Sequence, residues 1–206
     1  GQCLEFRRVL FRSDIAAVGR KPPDETEQAV TAAGRRFLWL QAALDNADGV
    51  GEIVAAVERG LGPVDILVNN AGTIRRNDAL EFTPEDWDAV MGVNLRTAFF
   101  LAQAVARSMV ADARPGRIIN IASMLSFQGG VRVASYTASK SGLLGLTRAL
   151  ANEWAGKGIN VNAIAPGYFA TDNTQALRED PERNAAILAR IPAGRWGRPD
   201  DLAGAA

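Results

Sequence analysis

The feature that most constrains this chain is the alternation of short apolar runs with longer amphipathic stretches. Asp14–Val18, Arg36–Gln41, Val64–Asn69 (VDILVN), Arg117–Ala122 (RIINIA) and Ile159–Ile164 (INVNAI) read as strands. Asp24–Ala33, Asp48–Arg59, Pro84–Ala111, Ser135–Gly156 and Pro181–Arg190 read as helices, with Thr83 placed to cap the longest and Pro84 at its first position. Strands of this kind are buried on both faces, and alternation with helices joins them in parallel. The expected fold is α/β: a doubly wound, Rossmann-type parallel sheet inside a three-layer α/β/α sandwich. With 206 residues, 48% of them hydrophobic, the chain suits one such domain rather than two.

Both ends depart from that plan. A dinucleotide-binding fold opens with a strand, a Gly-rich turn and a helix. Here the first clear strand is already Asp14–Val18, and no G-x-G-x-x-G or G-x-x-x-G-x-G precedes it. The sequence stops at Ala206 inside what reads as a helix starting after Pro199. The expectation is an incomplete domain over residues 14–206, lacking its first βα unit and its last strand. Residues 1–13 read as non-native, because Leu4–Ser13 (LEFRRVLFRS) resembles the translation of a sequencing-library adapter joined to a partial gene.

Composition removes whole classes of chemistry. The chain has no histidine, so a Ser-His-Asp triad, a histidine base and a His-ligated metal are excluded. A single cysteine, Cys3, rules out an internal disulfide framework and leaves no thiolate set for structural zinc. Lys+Arg and Asp+Glu are both 23, and no basic stripe points to nucleic acid or an anionic membrane. Arg96 and Arg107 interrupt the most apolar region, so no uncharged run of bilayer length is expected. No secretory signal is visible, and a cytoplasmic setting is expected. Any acid/base group must be a tyrosine, a lysine or a carboxylate.

Tyr136-Thr-Ala-Ser-Lys140 supplies such a group at the start of a helix. Residues four apart share a helix face, so the phenol and the ammonium can serve one ligand. A free tyrosine has a pKa of about 10, and a fixed cation nearby stabilises its phenolate. Ser123 stands at the carboxyl end of the RIINIA strand, where open parallel sheets bind ligands. Asn69-Asn70-Ala71-Gly72 follows the VDILVN strand and lets backbone approach a flat ligand. Asn94 is a polar residue within an apolar helix and needs partners if buried. Each also has an ordinary reading: a surface lysine beside a core tyrosine, strand-ending turns, and a helix-kink asparagine satisfied by backbone.

In this order and spacing, the Asn69–Gly72 turn, Asn94, Ser123, Tyr136, Lys140 and Pro166-Gly167 resemble the short-chain dehydrogenase/reductase family, over Asp14–Ala206. The resemblance implies hydride transfer between a nicotinamide cofactor and a hydroxyl or carbonyl compound. It implies Tyr136 as general acid/base, and Lys140 as the residue that lowers its pKa and holds the nicotinamide ribose. Ser123 would orient the substrate oxygen, and Asn94 would fix a water in a proton relay through Lys140. Asn70, Ala71 and Gly72 would line the adenosine side of the cofactor, with Pro166, Gly167, Tyr168 and Thr171 at its nicotinamide end.

Gly72–Phe82, Asn120–Gly142, Asn162–Arg178 and Arg190–Gly197 resemble a subgroup of that family that acts on acidic sugars with NAD. Arg75, Arg76 and Arg132 lie on loops near the strand ends, where guanidinium groups bind a carboxylate in a fork. Two departures concern the cofactor. Ala43 stands where the family places an acidic residue near the adenine. Gly19-Arg20 ends the Asp14–Val18 strand, where an acidic residue would select NAD and an arginine admits NADP. Family resemblance also implies a homo-oligomer, a tetramer built on the two longest helices. The alternatives are another reductase of the family, such as a 3-oxoacyl-carrier-protein reductase, an inactive fragment, or a dinucleotide-binding protein without catalysis.

The pyrophosphate of a dinucleotide normally sits on a Gly-rich turn at a helix N-terminus. The 206-residue chain is therefore expected to bind NAD(H) weakly or not at all. Isothermal calorimetry checks this, and tight binding would overturn the reading of an incomplete domain.

Overall fold

Runs of β-branched and aliphatic residues become strands wherever a neighbour takes up their backbone hydrogen bonds. The computed structural model of the chain describes residues 13–171, 174–202 and 204. The segment read as non-native lies outside these residues apart from Ser13. The strands are β1 (Ile15–Gly19), β2 (Phe37–Gln41), β3 (Ile66–Asn69), β4 (Gly116–Ile121) and β5 (Ile159–Ile164). All of their pairings are parallel, from Ile15↔Phe37 in β1–β2 to Ile118↔Val161 in β4–β5. The helices are α1 (Asp24–Ala32), α2 (Val50–Leu61), α3 (Pro84–Met91), α4 (Ala98–Ala111), α5 (Ala134–Trp154), α6 (Gln175–Glu179) and α7 (Pro181–Leu188). Parallel strands with helices packed on them are the expected Rossmann-type α/β class. One sheet was expected, whereas the described strands form two ladders, β1–β2 and β3–β4–β5.

The longest expected helix is continuous but not uniform. Between α3 and α4, Gly92–Thr97 winds as a wider π turn. Gly92 makes the close approach possible, because a Cβ there would collide with the Asp45 carbonyl oxygen. The turn sends Asn94 and Thr97 inward, each 1% exposed. Thr97 Oγ1 donates to the Asn46 carbonyl at 2.9 Å and so ties this helix to the loop after β2. Such π-bulges recur at functional sites. Thr83 caps α3 as its sequence position predicts, accepting from the Asp86 amide.

Pro84–Ala111 spans 28 residues and, by length and composition, is able to cross a membrane. Arg96 and Arg107 interrupt it, so it holds no uncharged run of bilayer length, as read from the sequence. Its apolar side is nevertheless occupied within the domain, since Ala98, Ala102, Val105, Ala106 and Met109 are buried.

The core follows from strand alternation. Leu67 of β3 and Ile118 of β4 face the cluster made with α2, α4 and α5, which holds Val54, Val105, Met109, Leu150, Trp154, Ile159 and Val161. The next residues along, Val68 and Ile119, face the opposite cluster with Ile121, Ile164, Phe169 and Leu202. Gly116 lets β4 begin directly under Met109, whose thioether would meet any Cβ at that position.

The two faces are unequally covered, which sets an expectation for stability. Ile118 is 0% exposed, so Ile118→Ala should cost about 2–5 kcal/mol. Ile119→Ala, on the thinner face, should cost less. Urea unfolding midpoints of the two variants check the order.

Candidate active site

The site is built where β4 ends. The chain leaves Ile121 and turns through a short 3-10 segment, Met124–Ser126, with Ser123 as its cap. Ser123 Oγ accepts from the Leu125 amide at 3.1 Å, which leaves its proton free for donation. Its hydroxyl lies close enough to the Tyr136 phenol to favour the phenolate. Ser126 Oγ accepts from the Ser123 amide at 3.3 Å and donates to the Lys140 carbonyl at 2.7 Å. Ser123 is buried, at 8% exposure.

Tyr136 and Lys140 come from the first turns of α5 and share one face, as their spacing predicts. Lys140 Nζ lies 5.8 Å from the centroid of the Tyr136 ring. It donates to the Ile121 carbonyl at 2.5 Å. With 4% exposure, Lys140 is a buried cation, and that burial pushes its pKa down to about 8. Burial also pushes the Tyr136 phenol above its usual value, against the pull of the Ser123 hydroxyl and of the Arg76 charge. The net direction is opposite to the lowering expected of Lys140. The physical reasons are that the Tyr136 phenol is itself desolvated and that Lys140 holds a backbone carbonyl.

Asn94 is engaged on both sides. Its Oδ1 accepts from the Thr73 amide at 2.8 Å, and its Nδ2 donates to the Thr73 carbonyl at 2.9 Å and to Ser139 Oγ at 3.1 Å. Ser139 Oγ donates in turn to the Tyr136 carbonyl at 2.8 Å. The Asn94 side chain therefore acts as a clasp between the loop after β3 and the first turn of α5. Both amide hydrogens are taken by protein, and Oδ1 keeps one acceptor position. Beneath it, Asn69 Nδ2 donates to Asn120 Oδ1 at 2.9 Å and Asn120 Nδ2 to Thr147 Oγ1 at 3.0 Å, a buried chain from β3 through β4 to α5.

The clasp brings the Asn70–Gly72 turn to the same place. Ala71 and Gly72 are exposed, and a Cβ on Gly72 would stand 3.6 Å from Asn94 Oδ1 and 3.8 Å from Lys140 Nζ. An open backbone edge beside a buried ammonium suits a flat cofactor with ribose hydroxyls. Across the site, the loop after β5 carries Pro166, Gly167, Tyr168 and Thr171. The Pro166 carbonyl accepts from the Met124 amide at 3.0 Å, and nothing crowds the Cα of Gly167. Tyr168 stacks edge-on against Trp196, with ring centroids 5.7 Å apart. The Thr171 amide donates to Thr174 Oγ1 at 3.1 Å.

The candidate substrate arginines separate. Arg75 Nε pairs with Asp86 at 3.2 Å, and its Nη1 donates to Thr73 Oγ1 at 3.3 Å. Arg76 is exposed and acts on Tyr136 through its charge. The Arg132 carbonyl accepts from the Asn77 amide at 3.1 Å, which joins the loops after β3 and β4. Its backbone sits in the left-handed region at φ 63°, uncommon for a side chain of this size. Arg20 pairs with Asp45 at 3.3 Å, both exposed.

Ser139, Thr73 and Ser126 were not singled out from the sequence. Ser139 was visible as a hydroxyl on the Tyr136–Lys140 face. Ser126 was visible through its capping-box spacing, three residues after Ser123. Nothing in the sequence marks Thr73, which contributes backbone atoms.

Comparison with known proteins agrees with this geometry. A family profile described as short chain dehydrogenase matches residues 11–182. The 2-dehydro-3-deoxy-D-gluconate 5-dehydrogenase of Escherichia coli (strain K12) is 59% identical over 204 residues, 99% of this chain and 81% of that protein. The enzyme of the same name from Dickeya dadantii (strain 3937) is 58% identical over 206 residues, 100% of this chain and 81% of that protein. A crystal structure from Agrobacterium tumefaciens, provisionally named a 2-deoxy-d-gluconate 3-dehydrogenase and holding NADP, superposes with a TM-score of 0.89 at 49% identity, covering 98% of this chain and 82% of that one. A Rossmann-type α/β frame, a Ser-Tyr-Lys cluster at its strand ends and these similarities lead to one conclusion: the chain belongs to the short-chain dehydrogenase family of oxidoreductases.

Proposed function

We propose that this chain is the catalytic domain of an NAD(P)-dependent dehydrogenase of acidic sugars, with a substrate of the 2-dehydro-3-deoxy-D-gluconate type. The observation that carries the chemistry is the buried Lys140 ammonium, its Nζ 5.8 Å from the centroid of the Tyr136 ring, with the Ser123 hydroxyl acting on the same phenol. The substrate class is supported by the 59% identity to the Escherichia coli enzyme. Both NAD and NADP fit the reading, since the Agrobacterium tumefaciens relative holds NADP and Arg20 stands at the end of β1.

The residues present fit the cofactor. Lys140 would hold the ribose hydroxyls, the Asn70–Gly72 backbone would lie along the adenosine side, and Pro166, Gly167, Tyr168 and Thr171 would meet the nicotinamide end. When bound, the nicotinamide supplies or accepts the hydride. Ser123 orients the substrate oxygen by donating a hydrogen bond. In carbonyl reduction Tyr136 gives its phenolic proton to that oxygen, and in alcohol oxidation the Tyr136 phenolate takes the proton back. Below about 8, Lys140 carries the charge that favours the phenolate. Asn94 and Ser139 keep the first turn of α5 in register with the loop after β3.

The domain is read as part of a larger doubly wound sheet. A Rossmann order places its first strand between the two halves, which is where the β1–β2 and β3–β4–β5 ladders part. We read the complete protein as a cytoplasmic homo-oligomer, a tetramer built on the long helices, where Trp87 and Val110 remain 39% and 47% exposed. The test of function is an assay with NAD and NADP against isomers of 2-keto-3-deoxygluconate, on a chain extended by the Gly-rich turn.

Two outcomes are expected in that extended enzyme. Tyr136→Phe should abolish turnover while sparing cofactor binding, because only the ionisable oxygen is lost. Alcohol oxidation needs the phenolate, so its rate should rise with pH; carbonyl reduction needs the phenol and should fall at alkaline pH. Near-normal kcat in Tyr136→Phe, or an inverted pair of pH profiles, removes the role given to Tyr136.

The second outcome concerns substrate charge. A carboxylate entering a pocket of low dielectric needs a cation, and losing a buried partner costs about 3–5 kcal/mol. The charge of Arg76 reaches Tyr136, whereas Arg75 is already held by Asp86. Arg76→Ala should therefore cut kcat/KM for the acidic sugar roughly a hundredfold and leave an uncharged ketone nearly unaffected. Arg75→Ala should change little, and Arg132→Ala should fall between them. Equal treatment of charged and neutral ketones by Arg76→Ala and Arg132→Ala alike would sink the carboxylate clamp.

A further inference from the structure

One side chain outside the Ser-Tyr-Lys set joins two of its members. Ser126 Oγ accepts the Ser123 amide hydrogen at 3.3 Å and donates to the Lys140 carbonyl at 2.7 Å. Lys140 lies about one helical turn beyond Tyr136, so this hydroxyl ties the backbone of the Ser123 cap to the segment of α5 that carries the phenol. No residue of the Met124–Ser126 turn is buried. Its three residues are half-buried and lie against α5, and polar ties give that contact its orientation. Lys140 Nζ also ties α5 to the Ile121 carbonyl before the turn, Ser141 Oγ reaches the Ser126 carbonyl at only 3.4 Å, and the Met124 amide bonds the Pro166 carbonyl on the opposite side.

We infer that Ser126 is a positioning residue, which holds the Ser123 hydroxyl against the Tyr136 oxygen by bridging the Ser123 amide to the Lys140 carbonyl. The inference rests on the catalytic reading above but concerns an arrangement that is measurable without turnover. If Ser126 Oγ is removed, the Ser123 amide loses its acceptor and the cap is free to rotate about Leu125. Burial, Ser123 from the end of β4 and Arg76 from the loop after β3 act on the Tyr136 phenol, and Lys140 Nζ stands 5.8 Å from the centre of its ring. A change at Ser126 removes none of them, so a change in the Tyr136 titration reports where Ser123 has gone.

The chain has two tyrosines, so in a Tyr168→Phe background a near-ultraviolet titration reads Tyr136 alone. The Ser123 hydroxyl favours the phenolate. Ser126→Ala should therefore move the Tyr136 titration to higher pH, in the direction taken by Ser123→Ala, and should speed hydrogen exchange at the Ser123 amide. Ser126→Thr keeps the hydroxyl and should restore both. Ser126→Cys, of similar size but with a weak acceptor, should shift as alanine does and serves if the alanine variant does not fold. Titrations of the alanine and cysteine variants that match the parent, while Ser123→Ala shifts, overturn the assignment. Should the Ser126 variants shift while Tyr136→Phe keeps its turnover, the catalytic reading fails and the positioning role stands.

Discussion

Asn94 is the residue on which the arrangement of this site depends. Its amide is buried in a π turn, where each unmet hydrogen bond would cost about 1–3 kcal/mol. Both of its donors and one acceptor position are met, by the backbone of Thr73 on one side and by Ser139 on the other. One side chain thereby fixes the distance between the turn that follows β3 and the helix that carries Tyr136 and Lys140. The Asn69–Asn120–Thr147 chain below does the same for the strands. In an apolar interior such polar networks specify one geometry, because the alternatives leave donors without acceptors.

The electrostatics follow from that rigidity. Lys140 is held at depth with its ammonium on a backbone carbonyl, and Tyr136 is held beside it with a phenol that burial keeps protonated. The resting site is thus a proton donor with a cation close by. Ser123 and Arg76 favour the opposite state of the phenol. The balance among these groups sets the protonation state of the phenol at a given pH.

The sequence was most informative where local chemistry decides the outcome. The bounds of β5 are as read, Ile159–Ile164, because alternating burial and a following Pro-Gly leave little freedom. Thr83 and Pro84 marked the start of α3 for the same local reason. Other features depend on tertiary partners and were not legible. The helical spacing of Pro84–Ala111 runs on through Gly92–Thr97, so the π turn is visible only when the Asp45 carbonyl lies against Gly92. The link from Asn94 to Ser139 joins residues 45 positions apart. Arg75 and Arg76 are neighbours of one type, and only Asp86 one turn into the next element distinguishes them. The resemblance named Ser123, Tyr136 and Lys140, and the geometry adds how they are held.

The parting of the ladders has a consequence for how this protein comes apart. The β1–β2 half reaches the rest through Val54 of α2 in the shared core and through polar ties such as Thr97 to Asn46 and Ser108 to Glu58, and not through a shared backbone ladder. Cooperativity in unfolding weakens where such contacts thin out. With no ladder across the gap, the β1–β2 half is expected to open at lower free energy than the β3–β4–β5 half. A dinucleotide lying across the ends of both ladders would act as a staple, and its affinity would register as the merging of two unfolding steps into one.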